Sequence, residues 1–352
     1  MKLALVYDRV NTWGGAEQIL LALHSIWPEA PLYTAVYHAP SAPWAKVFPA
    51  VIPSFLQRLP WAKTHHQWFP WATPLAFESL HFDEYDAVIS VTSADAKGII
   101  TRPGTFHLCY CLTPTRYLYS HPTLPPLLSD YLKWWDSVAC HRPDAYLAIS
   151  HTVQNRIAQH YGQPSSVVYP PVDLASFTPG PPRDYFLSVG RLVYHKQPEL
   201  LVTIFNQLHL PLVIVGSGRL ETRLRRMAKS NVRFTGQVTP RQLSDLYCHA
   251  AAFVSVHEED FGLVYVEAQA SGLPILALAR GGVTEVVSQG RTGYLASDVA
   301  ALKSAIIGFQ RLAYSHTDIL ASAARFSSQR FHYEFVKVFT HLWTKYKNTS
   351  MS

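Results

Sequence analysis

Short apolar runs alternate with longer amphipathic stretches through the second half of the chain. The runs have the length and composition of buried strands, and the stretches between them carry the periodicity of helices. The predicted strands are 185–190, 212–216, 232–236, 252–256 and 274–277. The predicted helices are 198–208, 220–229, 240–249 and 263–270. This alternation predicts a parallel sheet with crossover helices, which is a doubly wound α/β domain.

The first half of the chain shows the same alternation less regularly. Its predicted elements are strands at Lys2–Val6, Ala87–Val91, Phe106–Cys111 and Ala145–Ile149 and a helix at Ala16–Trp27. A proline-dense connector from Tyr169 to Pro182 cannot form regular structure. We therefore predict two Rossmann-like domains, residues 1–172 and 173–330. Because ligands of such sheets bind at the carboxyl ends of the strands, we expect a ligand crevice between the two domains.

Composition narrows the class of protein. The chain has 352 residues, a net charge of +6 and a pI near 9.0, which suit phosphate ligands, a membrane surface or nucleic acid. The sequence has neither zinc-finger spacing nor an aromatic RNA-binding motif, so we expect no nucleic-acid partner. Its four cysteines do not form a disulfide framework, and His65-His66 lacks the further ligands of a metal site. Without a signal peptide or a membrane-spanning apolar run, we expect a cytoplasmic location, either free or peripheral at the inner face of the cell membrane.

The most informative segment is the acidic loop and helix from Glu258 to Pro274. Gly262 can start a turn, the helix follows, and Glu259 and Glu267 lie on either side of the first helical residues. The amide groups that begin a helix lack intrahelical partners and attract anions. Carboxylates accept hydrogen bonds from sugar hydroxyls. The segment is therefore either a nucleotide-sugar site or an ordinary acidic cap at a solvated edge.

Basic residues and glycines follow other predicted strands. Arg191 and Lys196 come after the strand that ends at Gly190, where their charges can meet phosphate oxygens. The alternative is a pair of solvated surface cations. Gly14-Gly15 follows the first strand and opens a helix, which allows the backbone to approach a ligand closely.

Two further glycine motifs are less specific. Gly216-Ser217-Gly218 stops short of the dinucleotide fingerprint, so a nicotinamide dehydrogenase is disfavoured. Gly281-Gly282 ahead of Glu285 either offers free amides to a ligand or forms a plain turn.

Taken in order, these motifs resemble the retaining glycosyltransferases of family 4, which have the GT-B fold of two Rossmann-like domains facing a central cleft. The matching segments are 14–17, 85–90, 148–150, 168–173, 188–192 with Lys196, 215–218, 258–267 and 281–285.

The resemblance implies a hexosyl transfer with retained anomeric configuration and with neither a metal nor another cofactor. It implies that Arg191 and Lys196 hold the donor diphosphate, that Glu259 meets the donor sugar, and that Glu267 meets the ribose. By the same resemblance, the expected catalytic residues are Arg191, Lys196 and Glu259. The full donor-binding set is Gly14, Gly15, Gly190, Arg191, Lys196, Gly216, Glu259, Asp260, Phe261, Gly262, Leu263 and Glu267.

Segments 110–117 and 258–262 are similar to those of bacterial GDP-mannose-dependent mannosyltransferases of polysaccharide assembly. The expected donor is then GDP-mannose, and the expected acceptor is a glycan or a lipid-linked hydroxyl. Leu112 stands where that subgroup often has a histidine, so any role of that histidine on the sugar or acceptor side is absent or has moved to His107 or Arg116. Two alternatives stay open: a UDP-sugar-dependent transferase of the same family, and a catalytically degenerate partner subunit that binds nucleotide sugar.

Two aromatic and basic segments concern the acceptor side. Residues 53–71 have the composition of a membrane interface, although we favour an irregular helix packed on its own domain. The terminal segment Phe331 to Lys347 has helical spacing, and the resemblance implies that it crosses back onto the first domain.

Overall fold

The computed structural model describes residues 1–119, 124–181, 184–310 and 313–350. Its strands are β1 (Leu3–Tyr7), β2 (Leu32–Thr34), β3 (Val51–Pro53), β4 (Ala87–Thr92), β5 (Phe106–Cys111), β6 (Ala145–Ala148), β7 (Ser165–Val167), β8 (Phe186–Val189), β9 (Leu212–Val215), β10 (Val232–Gly236), β11 (Ala252–Ser255), β12 (Ile275–Leu278) and β13 (Gly293–Ala296). Its helices are α1 (Gly15–Ile26), α2 (Thr73–Glu78), α3 (Arg116–Tyr119), α4 (Pro126–Ala139), α5 (His151–Tyr161), α6 (Pro198–Leu208), α7 (Glu221–Met227), α8 (Pro240–His249), α9 (Leu263–Ala270), α10 (Val283–Val286), α11 (Val299–Ile307), α12 (His316–Ala324) and α13 (Ser328–Ser350).

These strands form two parallel sheets. The first has the order β3-β2-β1-β4-β5-β6-β7, and the second has the order β10-β9-β8-β11-β12-β13. In each sheet the first strand is central, and the next two strands are added toward one edge. The chain then returns to the centre and adds the remaining strands toward the other edge, which is the doubly wound topology. The prediction of two Rossmann-like α/β domains is confirmed. The topological switch points, where such sheets bind ligands, lie between β1 and β4 and between β8 and β11.

The chain divides into two compact units. The first comprises Met1–Pro171 together with the residues from Phe331 onward, and the second is Val172–Arg330. The connector predicted from Tyr169 to Pro182 contains a short 3₁₀ turn at Leu174–Ser176, and Pro182 itself lies outside the described residues.

Each unit has its own apolar core. In the second unit, α6 places Val202 and Phe205 against the buried strands, and α11 adds Leu302. In the first, strands β1 and β4 are buried along their whole length, as expected of the central strands of a sheet covered on both faces.

The long helix α13 contributes an aromatic row to the first unit. Phe339 lies 5.0 Å from Trp27 at the end of α1, measured between ring centroids, and Tyr346 lies 5.2 Å from Phe106 at the start of β5. Such aromatic pairs add to the free energy of apolar burial. In the part of the chain that the structure describes, none of the helices is both long enough and apolar enough to span a bilayer.

The sequence pattern did not predict several of the short strands and helices. Edge strand β3 is three residues long, half-buried, and ends in Pro53, a residue that sheets accept mainly at edges. In place of the irregular helix predicted at 53–71, the segment contains two separate 3₁₀ turns, Phe55–Arg58 and His66–Trp68, and its Leu56 and Ala62 pack in the core of the first unit. Prolines at 60 and 70 interrupt any longer helix there.

Candidate functional site

The candidate donor site lies at the switch point of the second sheet. Strands β8 and β11 pair directly, with Phe186 opposite Ala252. In a parallel sheet the loops that follow paired strands leave from the same edge. The loop after β8 carries Arg191 and Lys196, and the loop after β11 carries Glu259.

The loop after β8 is fixed by its neighbour β9. The amide of Gly190 donates to the carbonyl of Val215 at 3.0 Å, and the amide of Leu192 donates to that of Ser217 at 2.9 Å. Gly216 has a φ of +127°, and a Cβ there would lie 2.1 Å from the carbonyl oxygen of Gly190. Glycine is therefore required at position 216 for the two loops to approach.

Within this loop the two cations differ in exposure. Arg191 is exposed, whereas Lys196 closes a 3₁₀ turn and keeps only 13% of its side-chain surface accessible. A cavity borders both residues. Its lining includes Ser188, Gly190, Arg191, Lys196, Val256 and His257.

The loop after β11 is held by glycines on both sides. The carbonyl of Glu259 accepts from the amide of Gly282 at 2.8 Å, and a Cβ on Gly281 would lie 2.4 Å from that carbonyl. Gly262 precedes α9 with a φ of +89°, and a Cβ there would meet the Tyr265 ring at 2.4 Å. Since the Gly282 amide is engaged, Gly281-Gly282 clamps the acidic loop and does not offer that amide to a ligand.

Glu259 lies at the centre of a charged cluster. Its Oε1 atom accepts from Nζ of Lys196 and lies 2.8 Å from Nε2 of His257. Burial alone would raise the pKa of Glu259, but the hydrogen bond with His257 and the charge of Lys196 outweigh it and lower that pKa to about 2. The carboxylate is therefore ionised at neutral pH.

Glu267 occupies a different environment on α9. It is buried, and its Oε2 atom accepts from the hydroxyl of Tyr247 at 2.9 Å. Burial raises the pKa of Glu267 to about 7, and the Tyr247 hydrogen bond opposes this rise only in part. The surroundings therefore shift the pKa values of the two predicted glutamates in opposite directions, down for Glu259 and up for Glu267.

Asp260, Phe261 and Leu263 complete the predicted donor set in this unit. Phe261 is buried and packs on Phe326 at 5.2 Å between ring centroids, which anchors the loop. Asp260 is half-buried, and Leu263 is the first residue of α9.

Gly14 and Gly15, the predicted donor-binding residues of the first unit, lie in the segment between β1 and α1, at that unit's own switch point. Gly14 precedes α1 as its N-cap, and Gly15 is the first helical residue. Glu17 in the first turn accepts from the hydroxyl of Tyr7 at 2.7 Å, and burial raises its pKa. A Cβ on Gly14 would lie 3.3 Å from a carboxylate oxygen of Glu17. Because Gly14 has no side chain, the space next to the carboxylate of Glu17 is left unfilled.

His107 is corrected by the structure. It is completely buried near the amino end of β5, where its Nε2 lies 2.8 Å from Oγ of Ser90. Burial, followed by the nearby charge of Arg142, lowers the pKa of His107 to about 3. The residue is a neutral core histidine at the wrong end of its strand for a sugar. Arg116, by contrast, begins α3 beyond the carboxyl end of β5 and is half-buried, while Leu112 is buried.

Three features of the structure were not predicted from the sequence. His257 is a hydrogen-bond partner of Glu259, and Tyr247 is a partner of Glu267. Both are polar residues beside apolar runs, and neither belongs to a recognisable sequence motif. In the first unit, Lys97 and Asp136 form a buried ion pair at 2.5 Å, completed by Thr115 Oγ1 donating to Asp136 at 2.6 Å. Lysine and aspartate 39 positions apart carry no sequence signal of contact.

Comparison with solved structures identifies the fold. The Anabaena protein HepE in complex with UDP superposes with a TM-score of 0.73 at 18% identity, covering 97% of this chain and all of that one. A sucrose-phosphate synthase from Thermosynechococcus elongatus gives the same score at 17% identity, covering 98% and 100%. At these identities the likeness shows the fold alone, and it is the GT-B fold.

Sequence relatives and family models then define the family. Residues 13–176 match the model described as Glycosyltransferase Family 4, and residues 183–310 match Glycosyl transferases group 1. The chain belongs to the family 4 glycosyltransferases with the GT-B fold.

Curated relatives agree over part of their length. A D-inositol 3-phosphate glycosyltransferase of Catenulispora acidiphila is 34% identical over 46% of this chain and 47% of its own. A GDP-mannose-dependent phosphatidylinositol monomannoside mannosyltransferase of Corynebacterium glutamicum is 30% identical over 47% and 52%. The chain thus matches about half the length of these relatives.

Proposed function

We propose that the protein transfers a sugar from a nucleoside-diphosphate sugar to an acceptor hydroxyl, with the anomeric configuration retained. The observation that carries this proposal is the cluster of Arg191, Lys196, His257 and Glu259 at the switch point of the second sheet. It combines cations suited to a diphosphate with an ionised carboxylate suited to sugar hydroxyls.

The leaving group sets the main catalytic demand. A nucleoside diphosphate departs with negative charge, so fixed positive charge directed at it lowers the barrier. We assign this role to Arg191, Lys196 and the first amide groups of α9, with no metal ion. In a retaining transfer without a protein nucleophile, the acceptor oxygen attacks the anomeric carbon from the face that the phosphate leaves. The departing phosphate oxygen takes the acceptor proton.

The two glutamates divide the donor between them. Both donors to Glu259 within the described residues use Oε1, so we assign Oε2 to a hydroxyl of the transferred sugar. Glu267, buried beside Tyr247, is assigned to the ribose hydroxyls of the nucleotide.

For the donor we propose GDP-mannose, and for the acceptor a glycan or a lipid-linked hydroxyl. The similarity of segments 110–117 and 258–262 to mannosyltransferases supports this choice, and so does a relative whose name specifies GDP-mannose. The alternatives are a UDP-sugar donor and a degenerate subunit that binds nucleotide sugar without turning it over, the latter favoured by Leu112.

A panel of GDP- and UDP-sugars tests these proposals in two stages. Stabilisation against thermal unfolding identifies the donor, and product analysis then reports hydrolysis or transfer. We expect stabilisation by GDP-mannose and turnover that persists with a metal chelator. Stabilisation without turnover across acceptors would support the degenerate subunit.

A substitution tests the role of the cations. Arg191→Ala should lower turnover by about 10²–10³. Arg226→Ala, which removes an exposed arginine on α7, is the matched control and should have no effect. An unchanged rate in Arg191→Ala would contradict the assigned role.

A further inference from the structure

One face of helix α4 carries a row of exposed apolar side chains. Leu127, Tyr131, Trp134 and Val138 are 87%, 38%, 64% and 47% exposed. They follow one another at spacings of four, three and four residues. At 3.6 residues per turn, this spacing places all four within about 60° of one another around the helix. We call these four residues the α4 stripe.

The α4 stripe is continuous along the helix. Residues three and four positions apart are neighbours on a helix surface, so each member of the stripe lies next to the following one. The rings of Tyr131 and Trp134 at its centre are 6.4 Å apart, measured between ring centroids. Contiguous exposed apolar side chains mark interaction sites, whereas single scattered ones do not.

The other face of α4 is packed into the first unit. Leu132 and Trp135 are buried, and Nε1 of Trp135 donates to the carboxylate of Glu78 at 2.7 Å. Asp136, also buried, is paired with Lys97. The helix is therefore held in place before any partner arrives, which reduces the entropy lost on association.

The spacing of the α4 stripe is the same read from either end of the helix. Two copies of α4 that pair antiparallel about a two-fold axis therefore place Leu127 opposite the partner's Val138, and Tyr131 opposite the partner's Trp134. Such a contact is isologous, with the same surface used by both copies. The aromatic residues, which contribute most to protein interfaces, meet at its centre.

Charge beside the stripe favours a second copy as the partner. Asp130 and Lys133 are both exposed, and both lie on the same side of the stripe. At 1.5 Å per residue, the antiparallel arrangement brings Asp130 within about 3 Å, along the helix axis, of the partner's Lys133. One acid and one base complement the same surface of another copy, whereas an anionic partner would need an excess of cations.

We propose that the protein forms a reversible homodimer by antiparallel pairing of the α4 stripes. The 14 residues of α4 span about 21 Å. A contact one helix wide belongs to the small class of interfaces, so we expect a dissociation constant on the order of 10–100 μM. The dimer does not depend on the proposed transfer activity, because α4 carries none of the residues assigned to the donor.

Sedimentation velocity on the full chain tests the proposal. We expect the sedimentation coefficient to rise from that of a monomer toward that of a dimer between about 1 and 300 μM. Trp134→Lys should raise the dissociation constant at least about tenfold, since a two-fold contact loses the indole twice. Trp71→Ala removes a 52% exposed tryptophan elsewhere in the first unit, and this matched control should dimerise normally.

Charge reversal tests the antiparallel register. Asp130→Lys leaves only cations beside the stripe and Lys133→Asp leaves only acids, so each variant alone should dimerise at least about fivefold more weakly. Mixed together, the two variants should form a heterodimer more tightly than either forms a homodimer, because acids then face cations. In a parallel pair these flanks would lie on opposite sides of the contact, and mixing would give no gain.

Four results would overturn the proposal. The first is a chain that stays monomeric throughout this concentration range. The second is a dimer that Trp134→Lys leaves intact. The third is a mixture of the two charge variants that associates no better than either alone. The last is binding to phospholipid vesicles that Trp134→Lys abolishes in a chain that stays monomeric, which would assign the stripe to a lipid surface.

Discussion

Lys196 and Glu259 form an ion pair across the switch point of the second sheet, although 63 positions separate them. Their side chains are 13% and 20% exposed, so the pair is poorly screened by solvent. The ion pair holds both side chains in place before a ligand binds. Under the proposed function, a donor diphosphate would compete with Glu259 for Lys196, whereas Oε2 of Glu259 is left for the donor sugar.

The Lys196–Glu259 pair should show energetic coupling. We expect Lys196→Met and Glu259→Gln together to destabilise less than the sum of the single variants, by about 1–3 kcal/mol, because each single change leaves a partly buried group without its partner. Urea unfolding of the four proteins measures this. The exposed pair Arg225–Glu221 is the control, with an expected coupling of about 0.3–0.5 kcal/mol. Equal coupling in both pairs would contradict the inference.

The two glutamates should affect different steps. Glu259→Gln should lower turnover more than it weakens nucleotide binding, since the carboxylate is assigned to the sugar. Glu267→Ala should raise the dissociation constant of the free nucleoside diphosphate. Calorimetric titration with the nucleotide and initial rates with the full donor separate the effects, and the reverse pattern would exchange the roles.

Glu267 should make stability depend on pH. Its pKa is raised from 4.5 to about 7 in the folded protein, so the unfolded chain loses this proton first as pH rises. Its contribution is greatest below pH 4.5 and is lost as pH rises from 4.5 to about 7, by on the order of 3 kcal/mol. Thermal unfolding across this window should show the loss in the unmodified chain and not in Glu267→Gln. If the stabilities of both proteins changed with pH in parallel, the surroundings of Glu267 would be more polar than its burial indicates.

His257 should act as a positioning residue for Glu259. Its hydrogen bond helps lower the pKa of Glu259 to about 2, so that carboxylate stabilises the fold above pH 4.5 and stops doing so as pH falls toward 2. In His257→Ala the pKa of Glu259 should rise, and the acid limb of the pH–rate profile should move to higher pH. His249→Ala, a change on α8, is the control. A lower rate with an unshifted profile would show that His257 only packs.

The buried pair Lys97–Asp136 should be important for stability. Lys97→Met leaves Asp136 charged in the interior, and we expect a loss of about 3–5 kcal/mol in the free energy of unfolding. The double variant Lys97→Met/Asp136→Leu should recover much of it, because no unpaired charge is left. Urea unfolding decides this, and a double variant as unstable as the single one would mean that the Thr115 and Tyr119 hydrogen bonds dominate.

Local pattern was sufficient for elements whose signals lie within a few residues. Helices at 198–208, 240–249 and 263–270 have the predicted bounds, since a proline or glycine marks each start. Strands β2, β7 and β13 were missed because three or four residues hold too little periodicity. His107 was misjudged for a related reason: an apolar strand pattern does not reveal which end of the strand faces the ligand edge.

Residue order along the chain was enough to predict the fold class, the α9 segment with its flanking carboxylates, and the cations after β8. Those features rest on the order of residues along short stretches. Three features become visible only in the folded chain: β8 and β11 are neighbours, Lys196 and His257 share one oxygen of Glu259, and Glu267 is buried against Tyr247. Strand order and burial depend on packing among distant segments. The pKa of each glutamate, and hence its chemistry, follows from that packing.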